Sequence, residues 1–370
     1  MTSRSSRSTP DVLVIGTGLI GLACAAAAAE RGLMVLALGE SLVGAASLAA
    51  AGLLAPSIER GESDSASFAI AARDRYPSYI DWLRDRSGFD VPLNREGIIQ
   101  VAVTVAGVRG LQRSIPPEAE WLDASALHVL EPALSHGLGG VLHPTDGAVD
   151  NVRLYEALMS AVSRESRVRI AEDIIVDIAF SESGVTVIGR SGATYTADQA
   201  ILAAGAWSSS IRGLPRPLPV EPIRGQMIAY ATSPLRRAVY GPTGYVVPRP
   251  NGRTLVGATT ERVGFQSATT PEGIARLERT AVEILPRLAG VAPSEAWAGL
   301  RPMSADLQPI LGPDPDEPRL LYATGHSRNG VLMTPLTGDC IAALLVNEPP
   351  PADIGVFSIA RFSSVSTENR

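Results

Sequence analysis

Residues 11–40 read DVLVIGTGLIGLACAAAAAERGLMVLALGE, and this stretch decides the fold. Val12 to Ile15 is a short, continuously apolar run, the pattern of a strand buried on both faces of a parallel sheet. Gly16, Gly18 and Gly21 follow in the spacing GxGxxG. Leu19 to Glu30 is an alanine-dominated helix stopped by Gly32, a residue suited to the left-handed conformation past a helix end. Leu33 to Leu38 supplies a second apolar strand. In this βαβ unit the first glycine permits the tight turn and the second lets a pyrophosphate approach the backbone. The third allows close packing of helix on strand, with the anion at the helix N-terminus. The unit therefore predicts a dinucleotide site. An acid that holds the ribose is expected at the end of the second strand. Gly39 stands there and Glu40 follows one position late, so Glu40 reaches a ribose only if the strand end bulges.

Composition bounds the rest. A chain of 370 residues is two to three domains' worth on a prior of roughly 100 to 200 residues each. With 45% hydrophobic and 19% charged residues it is globular. The net charge of −6, with no arginine cluster, argues against a nucleic-acid partner. All 32 cations are arginine, which removes lysine Schiff-base chemistry and the phosphate-loop lysine. Cys24 and Cys340, with His128, His136, His143 and His326 at wide spacing, exclude a disulfide framework and a metal site. Val12 to Ala29 is uncharged and follows Arg4 and Arg7, as a targeting segment would. Its glycines fit a strand-turn-helix better, and with no second long apolar run a cytoplasmic protein with no membrane span is expected; the chain is separately expected to form a homo-oligomer.

Outward from the opening unit, Met1 to Pro10 reads as a disordered leader and Val43 to Pro56 as a small-residue loop. Ser67 to Ser87 reads as a helix, and so does Asn151 to Arg164, with Asn151 as its N-cap. Strands are expected at Gly97 to Val103, Gly139 to Leu142, Val168 to Ile178, Gly184 to Ile188 and Ala197 to Ala204. The prolines from Pro215 to Pro222 mark a crossing between domains. Beyond it come strands at Met227 to Tyr230, Gly244 to Pro248, Thr254 to Ala258 and Leu320 to Ala323, and a helix at Pro271 to Leu288. Thr334-Pro335 opens a last helix, proline being favoured at the first helical position, and the run Pro349 to Pro351 ends regular structure.

Four distant segments carry a resemblance: ASLAAAGLLAP at 46–56, AAGAWS at 203–208, GLRP at 299–302 and GHSRNGVLMTP at 325–335, supported by GYVVPR at 244–249. With the glycine fingerprint they resemble the FAD-dependent D-amino-acid oxidase family, most closely its glycine-oxidase branch of thiamine biosynthesis. The resemblance runs from about Asp11 to Val346. It implies an α/β fold in which a Rossmann-like FAD-binding domain (11–90, 145–215 and 300–346) carries an antiparallel-sheet substrate domain (91–144 and 216–299), with a tail at 347–370. It also implies FAD contacts at Ile15, Gly16, Gly18, Gly21, Glu40, Ala46, Ser47, Ala51, Gly52, Leu53 and Val176. Further contacts would fall at His326, Ser327, Arg328, Asn329, Gly330, Val331 and Leu332. No cysteine sits in these loops, so FAD is expected to be non-covalent.

A guanidinium presents a planar fork that binds a carboxylate bidentately. Arg301, read as lying in a loop poor in compensating charge, and Arg328, in the loop before the last helix, are the candidate anchors. The resemblance places Tyr245 beside them as a substrate-binding residue. The bland alternatives are an Arg301 paired with Asp306 and a tyrosine capping a core. The implied reaction moves the α-hydrogen of a neutral amine to flavin as hydride and leaves an imine that hydrolyses, with O2 reduced to H2O2. No acid or base residue is needed, and His326 is expected to contact cofactor or backbone instead. The helix opened by Thr334 is expected to turn its positive end toward the flavin pyrimidine. Ser327 stands where the family often has an aromatic residue, which puts glycine itself in doubt as the best substrate. A D-amino-acid dehydrogenase with a different acceptor and a non-catalytic flavin-binding subunit are the alternatives.

Overall fold

The computed structural model describes residues 9–59 and 63–365; the expected leader lies, up to Ser8, outside the described residues. Strands Val12–Ile15 and Val35–Leu38 pair in parallel at the middle of a six-stranded sheet. Its order is Ile310–Pro313, Leu320–Thr324, Gln199–Leu202, Val12–Ile15, Val35–Leu38 and Val168–Ala171. All neighbours are parallel except the first pair. Alternation along the strands splits the core in two. Val12, Val14, Val35 and Ala37 face a layer of four helices, Leu19–Glu30, Ser63–Ser87, Asn151–Arg164 and Gly330–Leu345. Leu13, Ile15, Leu36 and Leu38 face a three-stranded antiparallel sheet, Ile175–Ser181, Gly184–Gly189 and Thr194–Ala197. The helix Leu19–Glu30 is buried almost all round, which its alanines permit. Gly338 of the last helix meets it where a Cβ would stand 2.8 Å from the Ala23 carbonyl oxygen.

The second large sheet has eight strands, in the order Glu295–Ser304, Val220–Tyr230, Thr254–Gly257, Tyr245–Pro248, Ala238–Tyr240, Ile98–Ala102, Gly139–His143 and Glu120–Asp123. It is antiparallel except between Ala238–Tyr240 and Ile98–Ala102. Ile228, Tyr230, Val246 and Val256 pack under helix Pro271–Ile284. The opposite face, with Met227, Ala229, Tyr245 and Val247, turns toward the segment carrying Ala51 and Ala55. The boundary expected at residue 300 falls inside strand Glu295–Ser304.

Several elements differ from the sequence reading. Val43 to Pro56 is a helical turn, Ala46–Ala49, and a short strand, Leu53–Leu54. Val168 to Ile178 breaks into two strands that serve different sheets. Met227 to Tyr230 is the end of an eleven-residue strand, Val220–Tyr230. Pro222 is tolerated within it because Thr254–Gly257 pairs only with residues 227–230, leaving that side of Pro222 without a ladder. Asp150, not Asn151, caps helix Asn151–Arg164, its carboxylate accepting from the Val152 and Arg153 amides. After Pro351 two short 3-10 helices continue, Gly355–Phe357 and Ile359–Val365. Phe357 is fully buried there, edge-on to Phe68 at 5.2 Å between ring centroids.

The last helix is the main correction. It starts at Gly330, and Pro335 lies inside it. A proline at this position cannot donate to the carbonyl four residues earlier. That carbonyl, of Val331, accepts instead from the hydroxyl of Tyr76 on helix Ser63–Ser87. The fault in one helix is thus repaired by its neighbour. Tyr76→Phe leaves a buried carbonyl without a partner and is expected to cost about 1–3 kcal/mol. Thermal unfolding should show a midpoint several degrees lower; an unchanged midpoint would contradict the repair.

Candidate active site

The C-terminal ends of the parallel strands and the inner face of the eight-stranded sheet bound one long cleft. Its volume is about 1710 Å³, counting the space open to solvent at its mouth. At one end lies the glycine turn. Gly16 has φ of +115°, and a Cβ on it would stand 2.3 Å from the Ala203 carbonyl oxygen. A Cβ on Gly21 would meet the Gly16 carbonyl at 1.9 Å, so these two positions serve close packing. Gly18 lines the cleft. The helix behind it has neither a side-chain cap nor an acid in its first turn, and the Leu19 amide donates to Ser47 Oγ at 3.0 Å. An N-terminus free of acids, with its N-cap position side-chain-free, suits an anion. At Gly39 a Cβ would lie 2.5 Å from Thr17 Oγ1. No side chain fits where the ribose-binding acid is usually sought. The exposed Glu40 lines the cleft from the next position.

The middle wall is the segment from Ala45 to Leu53, which includes Ala46, Ser47, Ala51, Gly52 and Leu53. Arg249, at the end of strand Tyr245–Pro248, reaches across to hold it. Its guanidinium donates to the carbonyls of Val149 (2.7 Å) and Ala51 (3.1 Å) and to Asn151 Oδ1 (2.6 Å). Asn151 Nδ2 passes the link on to the Ser47 carbonyl at 2.8 Å. Gly52 fits because a Cβ there would collide with the Val149 carbonyl at 2.0 Å. The sequence quotes Arg249 inside GYVVPR, but nothing in its spacing marks it as the clasp of this wall.

The far end gathers the expected carboxylate anchors. Arg301 lies on strand Glu295–Ser304, not in a loop. Its Nη1 donates to the Thr259 carbonyl at 2.9 Å, and its guanidinium lies against the Tyr245 hydroxyl. Burial lowers its pKa below the ordinary arginine value, while Tyr245 acts in the opposite direction. Gly225 makes the room: a Cβ there would lie 2.4 Å from Arg301 Nη1. Asp306, the alternative partner, is engaged by Arg361 at 2.7 Å. Among the described residues no carboxylate stands within ion-pair distance of Arg301. Tyr245 is buried, and burial raises its pKa. Arg328 is half exposed and paired with Glu59 at 3.2 Å. Glu59, which the sequence reading missed, also accepts from the Tyr240 hydroxyl at 2.9 Å.

Of the expected site residues, Ile15, Gly16, Gly18, Glu40, the Ala46 to Leu53 set, Tyr245, Arg301 and His326 to Val331 line this cleft. Gly21, Val176 and Leu332 do not. Gly21 lies beneath the turn, Ile175 takes the place next to Val176, and Leu332 is buried among the helices. His326 is buried, with Nε2 3.2 Å from Thr337 Oγ1. Ser327 takes a positive φ of 51° and turns its hydroxyl to the Gly325 carbonyl. Cys24 and Cys340 are buried within the helix layer, and neither lines the cleft.

Residues 11–344 match the profile of the DAO family, described as FAD dependent oxidoreductase. The bifunctional protein ThiO/ThiG of Synechocystis sp. is 36% identical over 368 residues, covering 96% of this chain and 54% of that protein. The chain thus spans about half the length of the curated ThiO/ThiG relatives it matches. The glycine oxidase of Geobacillus kaustophilus is 30% identical, covering 95% of this chain and 97% of that one. A crystal structure of glycine oxidase from that organism superposes with a TM-score of 0.89 at 29% identity, over 95% of this chain and 99% of that one.

Burial pushes the His326 pKa down from 6.5 to about 3. A histidine held neutral contributes stability that is fully present above the unfolded value and is lost as pH falls from about 6.5 toward about 3. His326→Asn is expected to flatten the acid limb of a plot of unfolding midpoint against pH; parallel limbs in the two proteins would contradict the buried neutral state.

Proposed function

The chain belongs to the DAO family of FAD-dependent oxidoreductases, and from that premise we propose that it oxidises a small amino acid or amine. Glycine, sarcosine or a small D-amino acid is the substrate, with O2 as electron acceptor. The observation that carries this reading is Arg301, a partly buried guanidinium without an acidic partner among the described residues, facing the same cleft as the glycine turn.

The residues present fit FAD. The acid-free helix start, the side-chain-free Gly18 and a cleft lined from the glycine turn to Arg301 suit an extended dinucleotide. In this reading Gly16, Gly18, Ser47 and Glu40 hold the dinucleotide part, and the segment His326 to Val331 holds the ring end. The thiols lie away from the cleft, which supports non-covalent binding. When bound, the flavin supplies the hydride acceptor. The protein supplies binding and orientation. Arg301 takes the substrate carboxylate through its fork, and Tyr245 adds its hydroxyl, so that the α-carbon is held at one place in the cleft. Met227 and the alanines of the wall exclude water around the reacting carbon. His326, buried and within 3.2 Å of Thr337 Oγ1, is engaged by the protein itself and is assigned no proton transfer. The last helix begins at Gly330 without an acid in its first turn. Its positive end is then available to the negative charge that reduction places on the ring.

Anaerobic mixing with glycine, sarcosine and D-alanine tests the reading, since a flavin left oxidised by all three would overturn it. Peroxide release in air then settles the acceptor: reduction without peroxide would make the protein a dehydrogenase. Arg301→Ala is expected to retain FAD and raise KM by roughly 10- to 100-fold, the loss of a charge-assisted pair. An unchanged KM would remove Arg301 from the anchor role.

A further inference from the structure

The two arginines at the far end of the cleft are treated differently by the rest of the chain. Arg301 meets a backbone carbonyl and a tyrosine hydroxyl. Arg328 meets a carboxylate, that of Glu59. The Glu59 side chain is only 19% exposed, so water screens its charge weakly. One oxygen, Oε1, accepts from both Arg328 Nη2 and the Tyr240 hydroxyl. The Tyr240 ring lies 5.4 Å from that of Tyr245, which abuts Arg301. These five side chains form one connected group. Among the described residues it carries two guanidinium charges and one carboxylate, leaving a single positive charge for a ligand.

We propose that Glu59 is a specificity-determining residue that makes the site a receptor for one carboxylate: by occupying Arg328 it leaves Arg301 as the guanidinium open to substrate, and it repels a second carboxylate. This rests on the amine-oxidising reading above. An amine bearing one carboxylate completes the charge of the group. An amine bearing two must either displace Glu59 from Arg328, leaving a poorly hydrated carboxylate without its partner, or place its second carboxylate against Glu59. Both are unfavourable at this degree of burial. Specificity of this kind comes from the repulsive element as much as from the anchor.

The test uses ligands that cannot be oxidised because an ether oxygen replaces the amine nitrogen. Methoxyacetate stands for a monocarboxylate amine and diglycolate for a dicarboxylate one. Isothermal titration of the FAD-loaded protein gives both dissociation constants without reference to turnover. In the wild type methoxyacetate is expected to bind at least tenfold more tightly than diglycolate. Glu59→Gln keeps an acceptor for Tyr240 and Arg328 but removes the charge, and it is expected to shift the affinity ratio at least tenfold toward diglycolate. Glu59→Asp, which keeps the charge, should hold the wild-type ratio and serves as the folding control. A ratio unchanged in Glu59→Gln, or shifted equally in Glu59→Asp, would overturn the role of Glu59 while leaving the carboxylate site intact. Failure of the wild type to bind either ligand would overturn the carboxylate-site reading, and the role of Glu59 with it.

Discussion

The guanidinium of Arg249 is the constraint on which the cleft depends. It is buried, at 8% exposure, and its direct partners are two backbone carbonyls and an asparagine side chain. Burial lowers its pKa from the ordinary value. A buried cation is retained only where hydrogen bonds replace its water, and here those bonds come from two separate pieces of chain. Arg249 belongs to the eight-stranded sheet, whereas Val149 and Asn151 lead into the helix layer and Ala51 belongs to the wall. One side chain therefore fastens the eight-stranded sheet to the wall and to the chain that enters the helix layer. The wall it holds also docks on the strand that bears Arg301: the Leu300 amide donates to the Gly44 carbonyl at 2.8 Å, and Trp297 Nε1 to the Ala49 carbonyl at 3.0 Å.

With the wall so held, the electrostatics of the far end follow from which charges the protein neutralises itself. Arg328 is satisfied by Glu59, so its charge is spent internally. Arg301 is held in place by Thr259 and by the gap at Gly225, yet lacks an acidic partner among the described residues. A guanidinium fixed in position and short of an anion is preorganised for a carboxylate, and little ordering remains to be done when the ligand arrives. At the opposite end the same logic uses backbone amides instead of an arginine, where the first helix opens without an acid in its first turn.

The opening βαβ unit is legible, because an apolar run, a glycine spacing and an alanine helix each point to one geometry: Val12–Ile15 and Leu19–Glu30 form as read, and the second strand starts at Val35 instead of Leu33. Legibility fails where tertiary contacts overrule local signals. Thr334-Pro335 carries a helix-start signature, yet the helix begins at Gly330 because Tyr76, far away in sequence, takes the carbonyl that Pro335 cannot serve. Arg301 reads as loop, since glycine and proline flank it, but a ten-residue pairing with Val220–Tyr230 makes it strand. Gly39 and Glu40 depart from the usual acid position on sequence alone, but the crowding of Gly39 by Thr17 lies outside any local pattern. Glu59 was invisible: a single acid after a proline-containing turn carries no periodicity, and its partners Arg328 and Tyr240 lie 269 and 181 residues away.

In the proposed function the substrate carboxylate sits on Arg301. The most direct measurement is a crystal structure of the FAD-bound protein with methoxyacetate. It should show the ligand carboxylate on the Arg301 guanidinium and the Tyr245 hydroxyl, with the Glu59 to Arg328 pair intact. A carboxylate seated on Arg328 with Glu59 displaced, or outside the cleft altogether, would contradict it.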